Sequence, residues 1–223
     1  MSERAWSLRM VLALAVAAAA CGHPEQMVVD KYFGAVNTQD NQTLGSFASV
    51  KFDRKVDAWK ITGSQPESRV PAPLPERVKA VKDLEAELAA NKKAYGTYGN
   101  DHYTELDQVK EAQKKGAKPP AKLADVAAKW EEFTKKDHDL KKAVAEARDA
   151  LEKEKRNVVL SVGPVDNVDS MAGELITKQL DLTLTVAGQP ENYAMTLQKY
   201  EVTGGTGQRV ISRWIITGLQ KKS

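Results

Sequence analysis

The sequence predicts an α+β fold, in which a curved antiparallel sheet is packed by N-terminal helices and a long antiparallel coiled-coil hairpin is inserted between strands. Three observations predict it. Apolar residues recur at helical spacing soon after residue 26, a 3-4 spacing of apolar residues extends over residues 76–156, and apolar and polar residues alternate near the end of the chain. Because the part before the hairpin has about 40 residues and one strand, too few to close a core alone, we predict one discontinuous domain built from residues 26–63 and 157–221.

The first twenty residues have the composition of an export signal. Arg4 and Arg9 precede an apolar run of eleven residues, 10–20, which is too short to span a bilayer. We therefore predict that residues 1–20 are a signal peptide and that residues 21–26 form a tether.

The only cysteine of the chain follows this apolar run directly. The segment Ala18-Ala19-Ala20-Cys21 resembles the lipobox of bacterial lipoproteins, although that family more often has Leu where Ala18 stands. The resemblance implies that Cys21 receives a diacylglycerol, becomes the N-terminus and is acylated again, which anchors the chain in a membrane. Because Gly22 is not an aspartate, it also implies the outer membrane, facing the periplasm, where the cell has one. The alternative is ordinary cleavage after Ala20, which leaves a free thiol.

Two helices and one or two strands are predicted between the tether and the hairpin. Helical spacing of apolar residues over 27–36 predicts the first helix, and Asp40 supplies an N-cap for a second, shorter one. Residues 50–61 have the composition of a bent strand or two short ones. The prolines of residues 71–75 predict an extended lead into the hairpin.

The hairpin is predicted from two seams separated by a turn. The seam of the second limb repeats at strict 3-4 spacing, which is typical of a coiled coil. Its members are Leu123, Val126, Trp130, Phe133, Asp137, Leu140, Val144, Ala147 and Leu151. The looser seam of the first limb contains Val78, Val81, Leu84, Leu88, Asn91, Tyr95, Tyr98, His102, Leu106 and Val109. Between the limbs, Gly116, Pro119 and Pro120 end the helix, so the chain must reverse there.

Four strands are predicted after the hairpin. Residues 157–162 have the composition of a strand, and residues 176–186 alternate apolar and polar side chains, which indicates one buried and one solvated face. Residues 193–202 and 209–219 follow after short glycine-containing turns. The last three strands are therefore expected to form an antiparallel meander.

The order of these elements resembles the nuclear-transport-factor-like (SnoaL-like, cystatin-like) α+β cone. The resemblance is carried by residues 32–37, Tyr-Phe-Gly-Ala-Val-Asn, and by residues 213–216, Arg-Trp-Ile-Ile, and it covers about half of the mature chain. It implies a scaffold that forms a pocket. Enzymes of this superfamily use Asp, His or Tyr inside the cone, but none of the three histidines lies in the predicted sheet domain. The hairpin has no counterpart in the usual form of the family.

Two histidines of the hairpin are the candidates for a metal site. A fold about residue 118 sets His138 against Tyr98 and brings His102 within about one helical turn of it. With Asp137 and Asp139 nearby, two imidazoles and a carboxylate could hold Zn²⁺. The alternative, which we favour, is a polar break in the seam that sets its register. We accordingly predict no metal site.

Motifs for catalysis are not found in the sequence. It contains neither a Gly-x-Ser-x-Gly nucleophile motif nor a phosphate-binding loop, and with a single cysteine a thiolate zinc site is excluded. The 33 basic and 30 acidic residues are nearly balanced, which argues against a nucleic-acid partner. We predict no enzyme activity and no cofactor.

Two functions are compatible with these features. The first is a membrane-anchored lipoprotein that acts as a structural or interaction module, with a protein partner or a second copy bound through hairpin 76–156. The alternative is a small-ligand-binding protein, or an enzyme, that uses the pocket of the cone. Its candidate lining residues are Asp181, Tyr193, Tyr200 and Arg213.

Overall fold

The structure is a computed structural model that describes residues 24–204 and 210–222. The predicted signal peptide, the lipobox with Cys21 and most of the tether therefore lie outside the described residues. The fold is α+β, with an antiparallel sheet and a long helix between strands; 54% of the described residues are helical and 25% are in strands. The fold class is thus confirmed.

Two helices open the described chain, α1 (Pro24–Asn37) and α2 (Asn41–Phe47). The carboxylate of Asp40 accepts a hydrogen bond from the backbone N–H of Thr43, at 2.9 Å, and so caps α2 as predicted. Both helices bury apolar side chains against the sheet. The N-terminal helices of the prediction are therefore present.

Two strands, β1 (Ala58–Ser64) and β2 (Ser68–Pro71), precede the hairpin. The prediction of a strand from residue 50 was wrong. The Asn37 side chain forms two hydrogen bonds with the backbone of Val56, at 2.7 and 2.9 Å, and these hold the segment before β1 against the end of α1. The extended segment predicted over residues 71–75 is shorter than expected. Its first residue, Pro71, ends β2, and the helix already begins at Leu74.

Three strands follow the hairpin: β3 (Ala172–Val186), β4 (Gln189–Thr203) and β5 (Ile215–Lys221). The sheet order is β1-β3-β4-β5, with β2 paired to β3, and every strand pair is antiparallel. Ala187 and Gly188 join β3 to β4 with φ of 49° and 75°, the positive values that a two-residue hairpin turn requires. The predicted meander is confirmed for these strands.

The hairpin leaves the sheet after β2 and returns before β3, and these two strands pair with each other. Its first limb consists of α3 (Leu74–Asp101) and α4 (Tyr103–Lys114), and its second of a single turn of helix, Ala121–Leu123, followed by α5 (Ala124–Val162). At 1.5 Å per residue, α5 is about 58 Å long. The predicted hairpin is therefore present, and it lies between β2 and β3.

The predicted strand over residues 157–162 was wrong, because these residues form the last turns of α5. Val158 and Ser161 lie on the face of the helix that packs on the sheet, and both are buried. Burial of this face outweighs the β-propensity of the valines. The boundary predicted at residue 156 consequently falls inside a continuous helix.

Side-chain alternation along β3 gives the sheet two differently covered faces. On the first face, Leu180 and Leu182 pack with the residues of α1 and α2. On the second face, Leu175 packs with Tyr200 and Val202 of β4 against the base of the hairpin. The sheet is thus covered on one side by the N-terminal helices and on the other by the hairpin.

Candidate functional site

The seam of the hairpin is closed by the hairpin itself. Every residue predicted for the two seams is buried or half-buried. The most deeply buried members include Val81, Leu106, Val109, Leu140 and Val144. Glu85 and Arg148 form an ion pair across the limbs, with Arg148 Nε 2.9 Å from Glu85 Oε1. The limbs therefore pack antiparallel along this seam, and their other faces are exposed.

An aromatic cluster lies half-way along the hairpin. Tyr95 stacks on Trp130 with ring centroids 4.2 Å apart, and Tyr98 contacts Phe133 at 5.5 Å. A Cβ at Gly99 would lie 3.1 Å from the Trp130 ring, so this glycine permits the close approach of the indole. Offset aromatic pairs of this kind stabilise more than their buried area alone would.

The histidines of the hairpin are not brought together as the metal hypothesis required. Tyr98 meets Phe133 rather than His138, so the two limbs are out of the predicted register. His102 stacks on Tyr98 at the break between α3 and α4, whereas His138 is 78% exposed and 3.8 Å from Asp139. The observed register separates them by roughly nine residues, about 13 Å along the hairpin axis. Among the described residues no group of three or more His, Cys, Asp or Glu could hold a metal ion.

Two shallow grooves follow the outside of the coiled coil. One has a volume of about 490 Å³ and the other about 430 Å³. The first is lined by Glu85, Leu88, Ala89, Lys92, Lys141, Val144, Ala145 and Arg148. Ala89 and Ala145 are exposed in this groove, and Glu85 and Arg148 form an ion pair across it.

A polar cluster is buried where α5 crosses the sheet. Glu154, Asn157 and Tyr200 are 8%, 6% and 0% exposed, and their side chains converge between α5 and β4. Burial raises the pKa of the Glu154 carboxyl, while Tyr200 and the charge of Arg77 oppose that rise. Burial also raises the pKa of the Tyr200 hydroxyl. The cluster therefore favours the neutral form of Glu154.

Ser161 joins the end of α5 to β4 and to the segment before β5. Its hydroxyl donates to the Arg213 carbonyl at 2.9 Å and accepts from the Tyr200 N–H at 3.0 Å. The Arg213 N–H in turn donates to the Ser161 carbonyl at 2.9 Å. The helix thus takes the place at the edge of β4 where the predicted strand 209–219 would pair, so β5 begins only at Ile215.

The four residues predicted to line a pocket lie in separate places. Asp181 pairs with Lys222 at 2.5 Å and faces away from Tyr193, since its neighbour Leu182 pairs with Tyr193. Tyr200 is buried under the hairpin, and Arg213 donates to the carbonyls of Leu160 and Ser46, each at 2.9 Å.

The space expected for the pocket is filled by side chains. The residues that fill the first face of β3 and β4, each 0% exposed, include Ile176, Leu180, Leu182 and Met195. The prediction of a common pocket was therefore wrong. Of its four residues only Tyr193 joins a cluster on the rim, where its hydroxyl donates to Glu191 at 2.7 Å. Arg54, Tyr193 and Lys221 together lower the pKa of Glu191 to about 2.

Sequence reasoning missed the buried polar groups at the base of the hairpin. The 3-4 spacing of the second seam continues beyond Leu151 through Glu154, Val158 and Ser161. That continuation was the signal that the helix extends to the sheet and carries polar side chains into the core.

Comparison with known proteins assigns no family. No family model, no curated protein and no solved structure matches the chain. No helix in the described residues is long and apolar enough to cross a membrane.

Proposed function

We propose that the chain is a lipid-anchored protein of the bacterial cell envelope that acts without catalysis, as an interaction module. The observation that carries the proposal is the hairpin: only its base packs on the sheet, while the limbs beyond pack on each other. A coiled coil that projects from a small sheet domain presents a long surface and contributes little to the core of that domain. Such an arm is suited to reach and bind a protein partner or a second copy.

The anchor in this proposal is Cys21. Between Cys21 and Glu25, the first side chain described in α1, the chain spans at most about 14 Å. Acyl chains on Cys21 would therefore hold the α+β body close to the membrane surface. Two or more acyl chains are enough for stable attachment, and the chain needs no membrane-spanning helix for it. We place the protein at the outer membrane, facing the periplasm, in a cell that has one.

The first experiment tests the anchor. The chain is expressed in a bacterium that processes lipoproteins, and the N-terminal peptide is identified by mass spectrometry. We expect a peptide that begins at Cys21 and carries acyl groups. A Cys21→Ser variant should lose the modification and should be released from the membrane fraction by a wash with about 1 M NaCl, which screens electrostatic contacts, whereas the acylated wild type should remain. An unmodified thiol at Cys21 in the processed wild-type chain overturns the anchor.

The second experiment tests the arm. A photoreactive residue is placed at Ala89 or Ala145, which line the larger groove, and at Lys60 on β1 as the control. We expect a discrete cross-linked species from the two groove positions and none from Lys60. Light scattering then distinguishes a second copy from another protein. A chain that stays monomeric and cross-links to nothing at the groove contradicts the proposal.

A further inference from the structure

The charge of the hairpin is concentrated at its tip. Residues 108–124 contain five lysines and one acidic residue, Glu111. The rest of the hairpin, residues 74–107 and 125–162, has fourteen basic and sixteen acidic residues. A tip with a net charge of +4 therefore stands on limbs with a net charge of −2. The nearly neutral balance of the whole chain conceals this separation.

The lysines of the tip are exposed and come from three consecutive segments. They are Lys110, Lys114, Lys115, Lys118 and Lys122, from the end of α4, the turn and the single helical turn before α5. Lys114 pairs with Glu111 at 2.9 Å, and the Lys110 ammonium lies 5.5 Å from the centre of the Trp130 ring. Within the described part of the chain, Lys115, Lys118 and Lys122 are in no ion pair. Three ammonium groups are thus free to meet an external anion.

The shape of the tip favours an extended anionic surface over a discrete ligand. Both grooves described above lie farther down the limbs, and the lysines project from a convex end. Lysine is a point charge on a flexible stem, which suits many shifting anions better than one oriented carboxylate or phosphate. Val109 and Leu123, the large apolar residues of the segment, are buried, so the tip offers no apolar wedge for insertion.

We propose that the tip of the hairpin binds the surface of an anionic phospholipid bilayer through its lysines. The binding is peripheral and electrostatic: ammonium groups contact lipid phosphates and no side chain enters the hydrocarbon. Clusters of four or more lysines are attracted to anionic leaflets in this way, over about one Debye length. The proposal does not depend on Cys21, because the lysines lie at the opposite end of the arm from the base that packs on the sheet.

The test uses residues 22–223, which keep all described elements and carry no acyl chain. Binding is measured by co-sedimentation with vesicles of phosphatidylcholine alone and with vesicles that also contain phosphatidylglycerol. We expect binding only to the anionic vesicles. It should be lost as NaCl rises from about 0.1 M to about 1 M, since the Debye length falls from ~10 to ~3 Å. Equal binding to both kinds of vesicle, or none to either, overturns the proposal.

Two triple variants locate the binding surface. The tip variant changes Lys115, Lys118 and Lys122 to Gln. Each lysine raises the membrane-binding constant about fivefold, so we expect the triple variant to bind roughly a hundredfold more weakly.

The control variant changes three exposed lysines of the limbs, Lys82, Lys93 and Lys135, to Gln, with the same change in net charge. It should bind within a few-fold of the wild type. An equal loss in both variants assigns the effect to net charge alone and overturns the proposal. Binding to soluble heparin without binding to anionic vesicles overturns it as well, since the partner is then a polysaccharide. Circular dichroism checks that both variants keep their helices.

Discussion

The two faces of the sheet are built on different principles. The face under α1 and α2 is filled with aliphatic and aromatic side chains, and its buried Glu25 is paired with Lys178 of β3. The face under the hairpin mixes apolar residues with the buried side chains of Glu154, Asn157 and Ser161. Apolar burial is non-directional and supplies most of the stability, whereas buried hydrogen bonds depend on direction. We therefore expect the first face to stabilise the fold and the second to orient the arm.

The largest effect is expected from a cavity on the first face. Leu182→Ala removes a side chain that is 0% exposed and should lower the free energy of unfolding by about 3 kcal/mol. The same substitution at Leu175, on the second face of β3, is the matched control. That leucine is 8% exposed, and we expect a loss of about 2 kcal/mol. Urea denaturation measures both, and a larger loss at Leu175 contradicts the assignment of stability to the first face.

The next effect is expected at the link between helix and strands. Ser161→Ala removes the hydroxyl that joins the Tyr200 N–H to the Arg213 carbonyl. The buried Tyr200 N–H and the partly buried Arg213 carbonyl are left without that partner, so the free energy of unfolding should fall by about 2 kcal/mol. Ser170→Ala is the control, because its hydroxyl bonds to Asn167 at an exposed turn, and it should change stability by less than about 0.5 kcal/mol.

A second measurement on the same variant addresses orientation. Spin labels at the limb and on β1 report the distance between arm and sheet by double electron–electron resonance. A broader distance distribution for Ser161→Ala than for Ser170→Ala supports the role of Ser161 in orienting the arm. If both distributions match that of the wild type, the hydroxyl contributes stability alone.

The parts of the fold that the sequence predicted well are those whose signal is local and periodic. The hairpin seam and the Asp40 cap depend on spacing within one element, and both are found as predicted. The alternation of β3 likewise indicates its two faces. Patterns of this kind persist because neighbouring residues in the same element determine them.

The parts that were mispredicted depend on distant residues. β2 is four residues long with every residue exposed, so it has no apolar alternation and exists because it pairs with β3. The late start of β5 depends on Ser161, fifty-two residues before the Arg213 carbonyl that it binds. The pocket residues were chosen by type, but only the strand register decides which face each side chain occupies.

The smallest effect, and the one with a pH signature, is expected at Glu154. Burial raises the pKa of this carboxyl above its ordinary value of 4.5, against the opposing influence of Tyr200, Arg77 and Lys153. A group whose pKa is raised in the folded state stabilises the fold fully below its unfolded pKa and loses that contribution as pH rises through the folded value. The contribution of Glu154 to the free energy of unfolding should therefore fall as pH rises above about 4.5.

Glu154→Gln keeps the shape of the side chain and removes the charge. At neutral pH it should be more stable than the wild type, and near pH 4 the two should be equal. Glu146→Gln is the control, since that carboxyl is 69% exposed and its pairing with Lys142 contributes a few tenths of a kcal/mol at most. Unfolding in urea at several pH values measures all three chains. Parallel pH profiles for the wild type and Glu154→Gln would mean that the buried carboxylate does not lower the free energy of unfolding. The two faces of the sheet would then differ in apolar packing alone.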